Sequence, residues 1–256
     1  MNFTEYILAN GRVPTIADTP KPWTYRGWLM YYAMLYDPHK RWNYLQRTLD
    51  AGRVLDEPIP RIRFAPSEAG RKEWQRWVNI AEQHGSWSAV GELIDWLAFA
   101  LGVAREPSRM KDAVQEKLYR AVNLQPILDS PYDYIGTWLA EQKYAQSGGF
   151  YPTPHDVVEM MTRMQFEDGA DSRSETVCDP CVGTGRFLLH ASNYSLRLFG
   201  MEINHTILRA CLVNMALFVP WAVFPLPESF WPSSEAPEAT IQPSHFETPT
   251  QLEIFA

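Results

Sequence analysis

Apolar residues in the first half of the chain recur mainly at helical spacing. Residues 25–50 are rich in Trp, Tyr and Leu, and Pro38 divides them into two predicted helices. Prolines and glycines are frequent in residues 51–70, so we expect a loop there. The pattern therefore predicts a helical N-terminal region.

Three further helices follow in the predicted order. The first begins at a Ser88 cap and ends at Gly102, with its apolar residues on one face. The second covers residues 110–123. The third would be capped by Ser130, with Asp133 completing a capping box.

The second half changes to short apolar runs and glycine turns. Residues 176–189 are typical of a strand, a tight turn with Gly183 and Gly185, and then a helix. Residues 196–203 form a second strand-like run that ends near Glu202. In such βαβ units the ligand lies at the carboxyl ends of the strands, and an acid about 20 residues after the glycines holds ribose hydroxyls.

The elements around this unit are also predicted from local signals. Thr153 would cap a helix with Pro154 at its first position, and residues 204–219 have a helical apolar face. The short run 221–224 suggests a third strand. Cys178 is expected inside a buried strand.

Residues 225–250 are rich in proline and polar side chains, which predicts a disordered tether. We therefore divide the chain into a helical domain at 1–127, an abbreviated α/β domain at 128–224 and a tail at 225–256.

Charge is spread unevenly along the 256 residues, whose net charge is −7. Residues 1–125 hold 17 Lys and Arg against 14 Asp and Glu, whereas residues 126–256 hold 6 against 16. A protein that grips DNA alone usually has a clear basic face. By this count the N-terminal half is at most mildly basic, so the sequence does not indicate a clear basic face for DNA.

One N-terminal segment combines basic and aromatic residues. Residues 40–76 hold nine Lys and Arg with Trp42, Tyr44 and Trp74 among them. This mixture suits a nucleic-acid surface, or a solvated helix face over an aromatic core, and we favour the second interpretation.

The sequence also bears on location and metal binding. No apolar run is long enough to cross a bilayer, and the first residues lack the pattern of a signal peptide. Three cysteines indicate a reducing compartment, so we expect a cytoplasmic protein without a membrane partner.

Cys178 and Cys181 have metal-site spacing, but no second ligand pair stands at suitable spacing, so we predict no metal.

Four motifs occur in order in the second half of the chain. They are Phe150-Tyr151 with Thr153-Pro154, Asp179 to Leu188, Gly200 to Asn204, and Asn214 to Leu217. Together they resemble the adenine-N6 DNA methyltransferases, above all the modification subunit of type I restriction systems. That family reads roughly G-G-x-F-Y-T-P, D-P-A-C-G-T-G-G-F-L, G-x-E-I-N and N-M-x-L.

The resemblance covers about residues 128–220 and implies a Rossmann-like domain that binds S-adenosylmethionine, in a bacterial or phage protein. Pro152 departs from the family pattern and lengthens the loop by one residue. The cofactor-binding residues implied are Phe150, Tyr151, Thr153, Pro154, Asp179, Pro180, Gly183, Gly185, Phe187, Glu202 and Ile203.

The resemblance also assigns roles. Asp179, Gly183 and Gly185 would line the methionine and ribose, and Glu202 would hold the ribose hydroxyls. The loop from Tyr151 to Pro154 would close over the methionine.

The family's catalytic Asn-Pro-Pro-Phe or Asn-Pro-Pro-Tyr motif has no counterpart here, since the sequence contains no Pro-Pro dipeptide. Residues 129–132 look similar, but we read them as the start of a helix, so no catalytic residue is assigned. One hypothesis is that a second subunit brings this motif to the DNA.

The last residues contain a second resemblance. Gln251, Leu252, Ile254 and Phe255 are similar to the short peptide by which bacterial proteins bind the β sliding clamp. A terminal strand that covers an open sheet edge is the alternative. Two hypotheses follow: part of a split DNA methyltransferase, or a non-catalytic cofactor-binding module tethered to the clamp.

Overall fold

The computed structural model describes residues 21–83, 88–142, 150–166 and 170–231. These residues form a mixed α/β fold that is mostly helical, with one two-stranded parallel sheet. The clamp-like peptide at 251–255 lies outside the described residues. Residues 225–231 begin the predicted tail, yet Leu226 and Trp231 are buried in the core.

The first half is helical, as the apolar spacing predicts. Its helices are α1 (Met30–Tyr36), α2 (Arg41–Ala51), α3 (Glu68–Glu82), α4 (Ala89–Ala100), α5 (Asp112–Ala121), α6 (Gln125–Asp129) and α7 (Tyr134–Glu141). Pro38 separates α1 from α2, which confirms the predicted division.

The second half contains the sheet. Its elements are α8 (His155–Gln165), β1 (Thr176–Asp179), α9 (Arg186–Ala191), β2 (Arg197–Gly200), α10 (His205–Phe218), α11 (Pro220–Val223) and a 3₁₀ turn at Glu228–Phe230. The two strands are parallel and in register from Thr176↔Arg197 to Asp179↔Gly200. The predicted unit of strand, glycine turn, helix and strand is therefore present.

Two predicted helix caps are wrong by one to three residues. Asp133, not Ser130, caps α7, because its carboxylate accepts a hydrogen bond from Gly136 N at 2.8 Å. Pro154 occupies the cap position of α8, so Thr153 lies one residue outside the helix. Asn204 caps α10 through its side-chain oxygen.

Two predictions for buried strands are also wrong. Residues 220–223 are helix α11, in which Pro220 stands at the first position and Trp221 is buried near Tyr44. Cys178 is exposed, because only one face of β1, the side of Val177, packs on the core.

One buried apolar cluster joins the helices of the first half to the sheet and α10. Helix α4 packs along α10, where Arg209 Nε lies 3.9 Å from Asp95 Oδ1. Trp42, Tyr44 and Trp74 lie inside this cluster. They are therefore core residues, as the favoured interpretation predicts, and offer no stacking surface to nucleic acid.

A bilayer-spanning helix would have to be long and apolar, and none of the helices in the described ranges is both.

Candidate functional site

A cavity of about 630 Å³ opens at the carboxyl ends of β1 and β2. Its size is in the range of small-molecule sites. Nine of the residues predicted to bind a cofactor line it: Phe150, Tyr151, Thr153, Asp179, Pro180, Gly183, Phe187, Glu202 and Ile203. The structure thus brings together side chains that are up to 53 residues apart in the sequence.

Glu202 is held at the cavity wall by backbone groups. Its Oε2 accepts a hydrogen bond from Gly183 N at 3.2 Å, and its Oε1 accepts one from Asn204 N at 2.9 Å. The carboxylate therefore has a fixed orientation, and both oxygens retain a lone pair for a further donor.

Asp179 is the last residue of β1 and lines the same cavity. Its Oδ1 accepts a hydrogen bond from Cys181 N at 3.0 Å. Burial raises the pKa of Asp179, and the negative charge of Glu202 raises it further, while the hydrogen bond from Cys181 opposes the change. A cationic or hydrogen-bond-donating ligand would stabilise this pair of carboxylates.

The two predicted glycines have different surroundings. Gly183 lies in the cavity wall with φ +56°, a conformation that glycine adopts without strain. Gly185 has φ +90° and does not line the cavity. A Cβ there would lie 2.7 Å from Met215 Cε and 2.9 Å from Cys211 Sγ, so Gly185 allows the turn to approach α10 closely.

Pro154, the remaining predicted residue, lies outside the cavity lining at the cap of α8. Its neighbours Tyr151 and Thr153 do line the cavity. The loop therefore borders the cavity with its first half and starts a helix with its second.

The buried carboxylate of Asp133, which the sequence predicted only as part of a helix cap, holds the glycine turn. Asp133 Oδ2 accepts hydrogen bonds from Thr184 Oγ1 at 2.6 Å and from Arg186 Nε at 2.7 Å. Asp133 Oδ1 accepts a bond from Asn214 Nδ2 at 2.8 Å, in addition to Gly136 N. Asp133 is fully buried.

This network extends to the loop over the cavity. Arg186 Nη1 donates to the Thr153 carbonyl at 3.0 Å, and Nη2 donates to Thr137 Oγ1 at 2.9 Å. Asn214 Nδ2 also donates to the Thr184 carbonyl at 2.9 Å. Arg186 stands where the family pattern has glycine. Asn214 is the first residue of the N-M-x-L motif, so that motif could have indicated its role in this network.

Behind the loop, two histidines contact each other. His155 Nδ1 and His190 Nε2 are 3.1 Å apart, and the ring of Tyr132 stacks on His155 at 4.2 Å. Asp129 accepts a hydrogen bond from the Tyr36 hydroxyl at 2.6 Å. Neither Asp129 nor Tyr132 lines the cavity, so the segment that resembles a catalytic motif lies away from the carboxylates.

The cavity mouth is apolar. Ile203 is 97% exposed and Tyr151 is 78% exposed. Large apolar side chains in such positions favour contact with a ligand or a partner. In the described part of the chain, no group of three or more His, Cys, Asp or Glu residues could hold a metal ion.

These features define a mixed α/β protein with an acidic cleft at the ends of two parallel strands. The family model of the N-6 DNA Methylase matches residues 125–218, which contain the cavity and its network. This segment, a little more than a third of the chain, is therefore related to the adenine-N6 DNA methylases. No curated protein and no solved structure matches the chain.

Proposed function

We propose that the chain is the cofactor-binding part of a split adenine-N6 DNA methyltransferase and that its cavity binds S-adenosylmethionine. The observation that carries this proposal is the convergence of the motif residues on one cavity at the carboxyl ends of β1 and β2. Open α/β sheets bind nucleotide-like ligands at this position. The match to the methylase family supports the same class of reaction.

The cavity fits the cofactor in its donor and acceptor groups. Glu202 would accept hydrogen bonds from the ribose hydroxyls, and Asp179 would hold the ammonium group of the methionine part. The exposed side chain of Ile203 would cover an apolar face of the adenine. Bound in this way, the cofactor supplies a methyl group on a positively charged sulfur.

The residues of this chain bind and orient the cofactor. Thr153 and Tyr151 border the cavity, and Arg186 ties the Thr153 carbonyl to the buried Asp133. Since no Asn-Pro-Pro-aromatic motif occurs in residues 1–256, the groups that hold the target adenine must come from elsewhere. We propose that a second subunit brings them, together with the DNA, from the open side of the cavity.

The experiment is a calorimetric titration of the protein with S-adenosylmethionine. We expect saturable binding to one site, weakened about tenfold or more by Glu202→Ala. The matched control is Glu228→Ala, which removes an exposed glutamate that does not line the cavity. No binding by the unaltered chain would remove the basis of the proposal.

A second candidate is a non-catalytic cofactor-binding module recruited by the β sliding clamp. The similarity of Gln251, Leu252, Ile254 and Phe255 to clamp-binding peptides favours it. The test compares clamp affinity of the full chain with that of a Leu252→Ala, Phe255→Ala double variant. Equal affinity of the two proteins would eliminate clamp recruitment through this peptide.

A further inference from the structure

The outer edge of β1 has no strand partner among the residues that the structure describes. The carbonyl oxygen of Asp179 accepts a hydrogen bond from Met201 N at 2.9 Å, on the side of β2. Because successive residues of a strand direct their backbone groups to opposite sides, Thr176 and Cys178 direct theirs away from β2. In residues 21–83, 88–142, 150–166 and 170–231, no strand pairs with this edge.

The other strand, β2, contacts residues near the end of the described segment. Arg197 of β2 lies with its Nη2 3.7 Å from Glu228 Oε2 and its guanidinium 5.1 Å from the ring of Trp231. The segment from Glu228 to Trp231 therefore packs against β2. Parallel sheets are normally covered on both faces, yet the side chains of Thr176 and Cys178 are exposed.

An apolar stripe lies on helix α8, which packs on α9. Val157, Met160, Met161 and Met164 are exposed at spacings of three and four residues, so they share one side of the helix. Met164 alone is 78% exposed. The flexible side chains of methionine suit an interface that adapts to a partner. Helix α8 also borders the cavity through Val158.

Charge indicates the chemistry of the occupant. Residues 126–256 hold 6 Lys and Arg against 16 Asp and Glu, and the cavity itself contains Asp179 and Glu202. This half of the chain repels DNA at short range. A partner that carries DNA to the cavity must therefore be basic.

We propose that a separate, basic polypeptide adds a parallel β-strand to the outer edge of β1 and covers the methionine stripe of α8. The carboxyl end of such a strand lies next to Asp179, so residues that follow it reach the cavity. The partner's basic charge and its role at the cavity rest on the proposed function, whereas strand addition itself uses only the backbone of β1.

The first test is amide hydrogen exchange of the full chain, read residue by residue by NMR. We expect the amides of Thr176 and Cys178 to exchange about a hundredfold faster than those of Val177 and Asp179, at low and high protein concentration. Protection of Thr176 and Cys178 in the isolated chain would overturn the proposal. It would show that the chain or a second copy covers the edge.

The second test adds a synthetic peptide with a lysine-rich, β-branched strand followed by Asn-Pro-Pro-Tyr. We expect about tenfold slower exchange at Thr176 and Cys178, and no effect from a scrambled peptide of the same composition. Cys178→Pro removes an outward N–H without touching the β1–β2 ladder, so it should abolish the effect. Strand addition would be overturned if the peptide left exchange at Thr176 and Cys178 of the unaltered chain unchanged. It would also be overturned if the peptide fully protected the Thr176 amide in Cys178→Pro.

The methionine stripe has its own matched pair of variants. Met164→Glu should weaken peptide binding, whereas Leu35→Glu, at an 87% exposed apolar residue of α1, should leave it unchanged. Equal effects of the two variants would contradict a role for the stripe. The chain is titrated with S-adenosylmethionine in parallel. If the peptide binds the edge of β1 but the cofactor does not bind, only the proposed function is refuted.

Discussion

At the scale of single residues, Asp179 and Glu202 decide what the cavity can bind. Both oxygens of Glu202 accept backbone N–H groups, whereas Asp179 accepts one such bond through Oδ1. Burial and the charge of Glu202 raise the pKa of Asp179, so its ionised form is costly in the ligand-free protein. A ligand with a positive charge offsets that cost.

Asp179→Asn should therefore separate binding from stability. We expect the affinity for S-adenosylmethionine to fall roughly tenfold to a hundredfold, because the variant cannot neutralise an ammonium group. The melting temperature without ligand should stay equal or rise slightly. A raised folded-state pKa means that the carboxylate opposes folding above that pKa, and the amide removes this opposition.

The measurements for Asp179→Asn are calorimetry and thermal unfolding at pH 7. Asp50→Asn, an exposed aspartate at the end of α2, is the control and should change neither value. Unaltered affinity in Asp179→Asn would contradict the assignment of the ammonium site.

Local motifs predicted the residues of the cavity wall but not those that hold it in place. Asp179 and Gly183 belong to one short motif, and Glu202 follows at the spacing typical of a βαβ unit. Asp133 bonds to Arg186 and Asn214, which are 53 and 81 residues away. No periodicity or spacing rule links side chains over such distances, so only the fold shows this network.

At the scale of elements, the glycine turn between β1 and α9 depends on two different properties of glycine. Gly185→Ala should destabilise the protein by about 3 kcal/mol, because its Cβ collides with Met215 and Cys211 in addition to the strain of a positive φ. Gly52→Ala is the matched control, since Gly52 has φ +67° and no atom within 4 Å of an added Cβ.

Urea unfolding measures both variants. We expect Gly52→Ala to cost only about 1 kcal/mol, the price of the backbone conformation alone. Equal losses in the two variants would mean that close approach to α10 is not the reason for Gly185.

The contact between α8 and α9 should make stability depend on pH. The pKa values of His155 and His190 are both lowered to about 4, mainly by burial. Arg186 and His190 also lower the pKa of His155, while Asp133 and Asp156 oppose them. The unfolded chain therefore binds protons near pH 6.5 when the folded chain does not.

The free energy of unfolding should be highest above pH 6.5 and should decrease as the pH falls towards 4, by on the order of 2 kcal/mol. Urea titrations at pH 7.5 and pH 5 check this. His190→Gln should reduce the difference, whereas His205→Gln, at an exposed position, should not. A pH-independent midpoint would refute the role of the histidine pair.

Both strands of the sheet and most helices were predicted, whereas helices α3 and α6 and two cap positions were not. Long apolar periodicity identified α2 and α4, and Pro38 marked a true division. The run at 221–224 was ambiguous, because four apolar residues fit a buried strand or a buried helix equally well. The predictions of these two capping residues were wrong because several polar residues stand near each helix start, and tertiary contacts decide which of them caps the helix. Asp133 was selected over Ser130 in this way.

At the scale of the whole molecule, one buried arginine links the first half of the chain to the second. Arg41 of α2 donates to the Pro60 carbonyl at 3.0 Å, to Ser192 Oγ at 2.6 Å and to the Phe218 carbonyl at 3.1 Å. Its guanidinium lies 5.0 Å from the ring of Trp221. Burial lowers the pKa of Arg41 to about 9.

Arg41→Ala should destabilise the whole protein by about 3–5 kcal/mol, because it leaves buried acceptors without donors and opens a cavity. Denaturant unfolding followed by tryptophan fluorescence and by circular dichroism measures the change. Arg53→Ala, at an exposed arginine, should cost less than about 0.5 kcal/mol. A small effect of Arg41→Ala would show that the apolar core alone joins the two halves.

The interleaving of the two halves was not visible in the sequence. The apolar spacing and the glycine turns predicted a helical region followed by an α/β region, and the described residues show helices followed by a parallel strand pair. The contact of α4 with α10 and the hydrogen bond from Arg41 to the Phe218 carbonyl depend on how the helices pack on the sheet. Such long-range pairings follow from the complete set of apolar faces and not from any one segment.

The cysteines of this chain form a natural set of chemical reporters. Cys181 is exposed in the wall of the cavity, and Cys178 is exposed on β1. Cys211 is buried, and burial raises the pKa of its thiol, so it stays unreactive while the fold is intact. The rate at which a thiol reagent modifies Cys181 therefore reports on the cavity, and the rate at Cys178 reports on β1. Modification of Cys211 reports global unfolding, all in the unaltered protein.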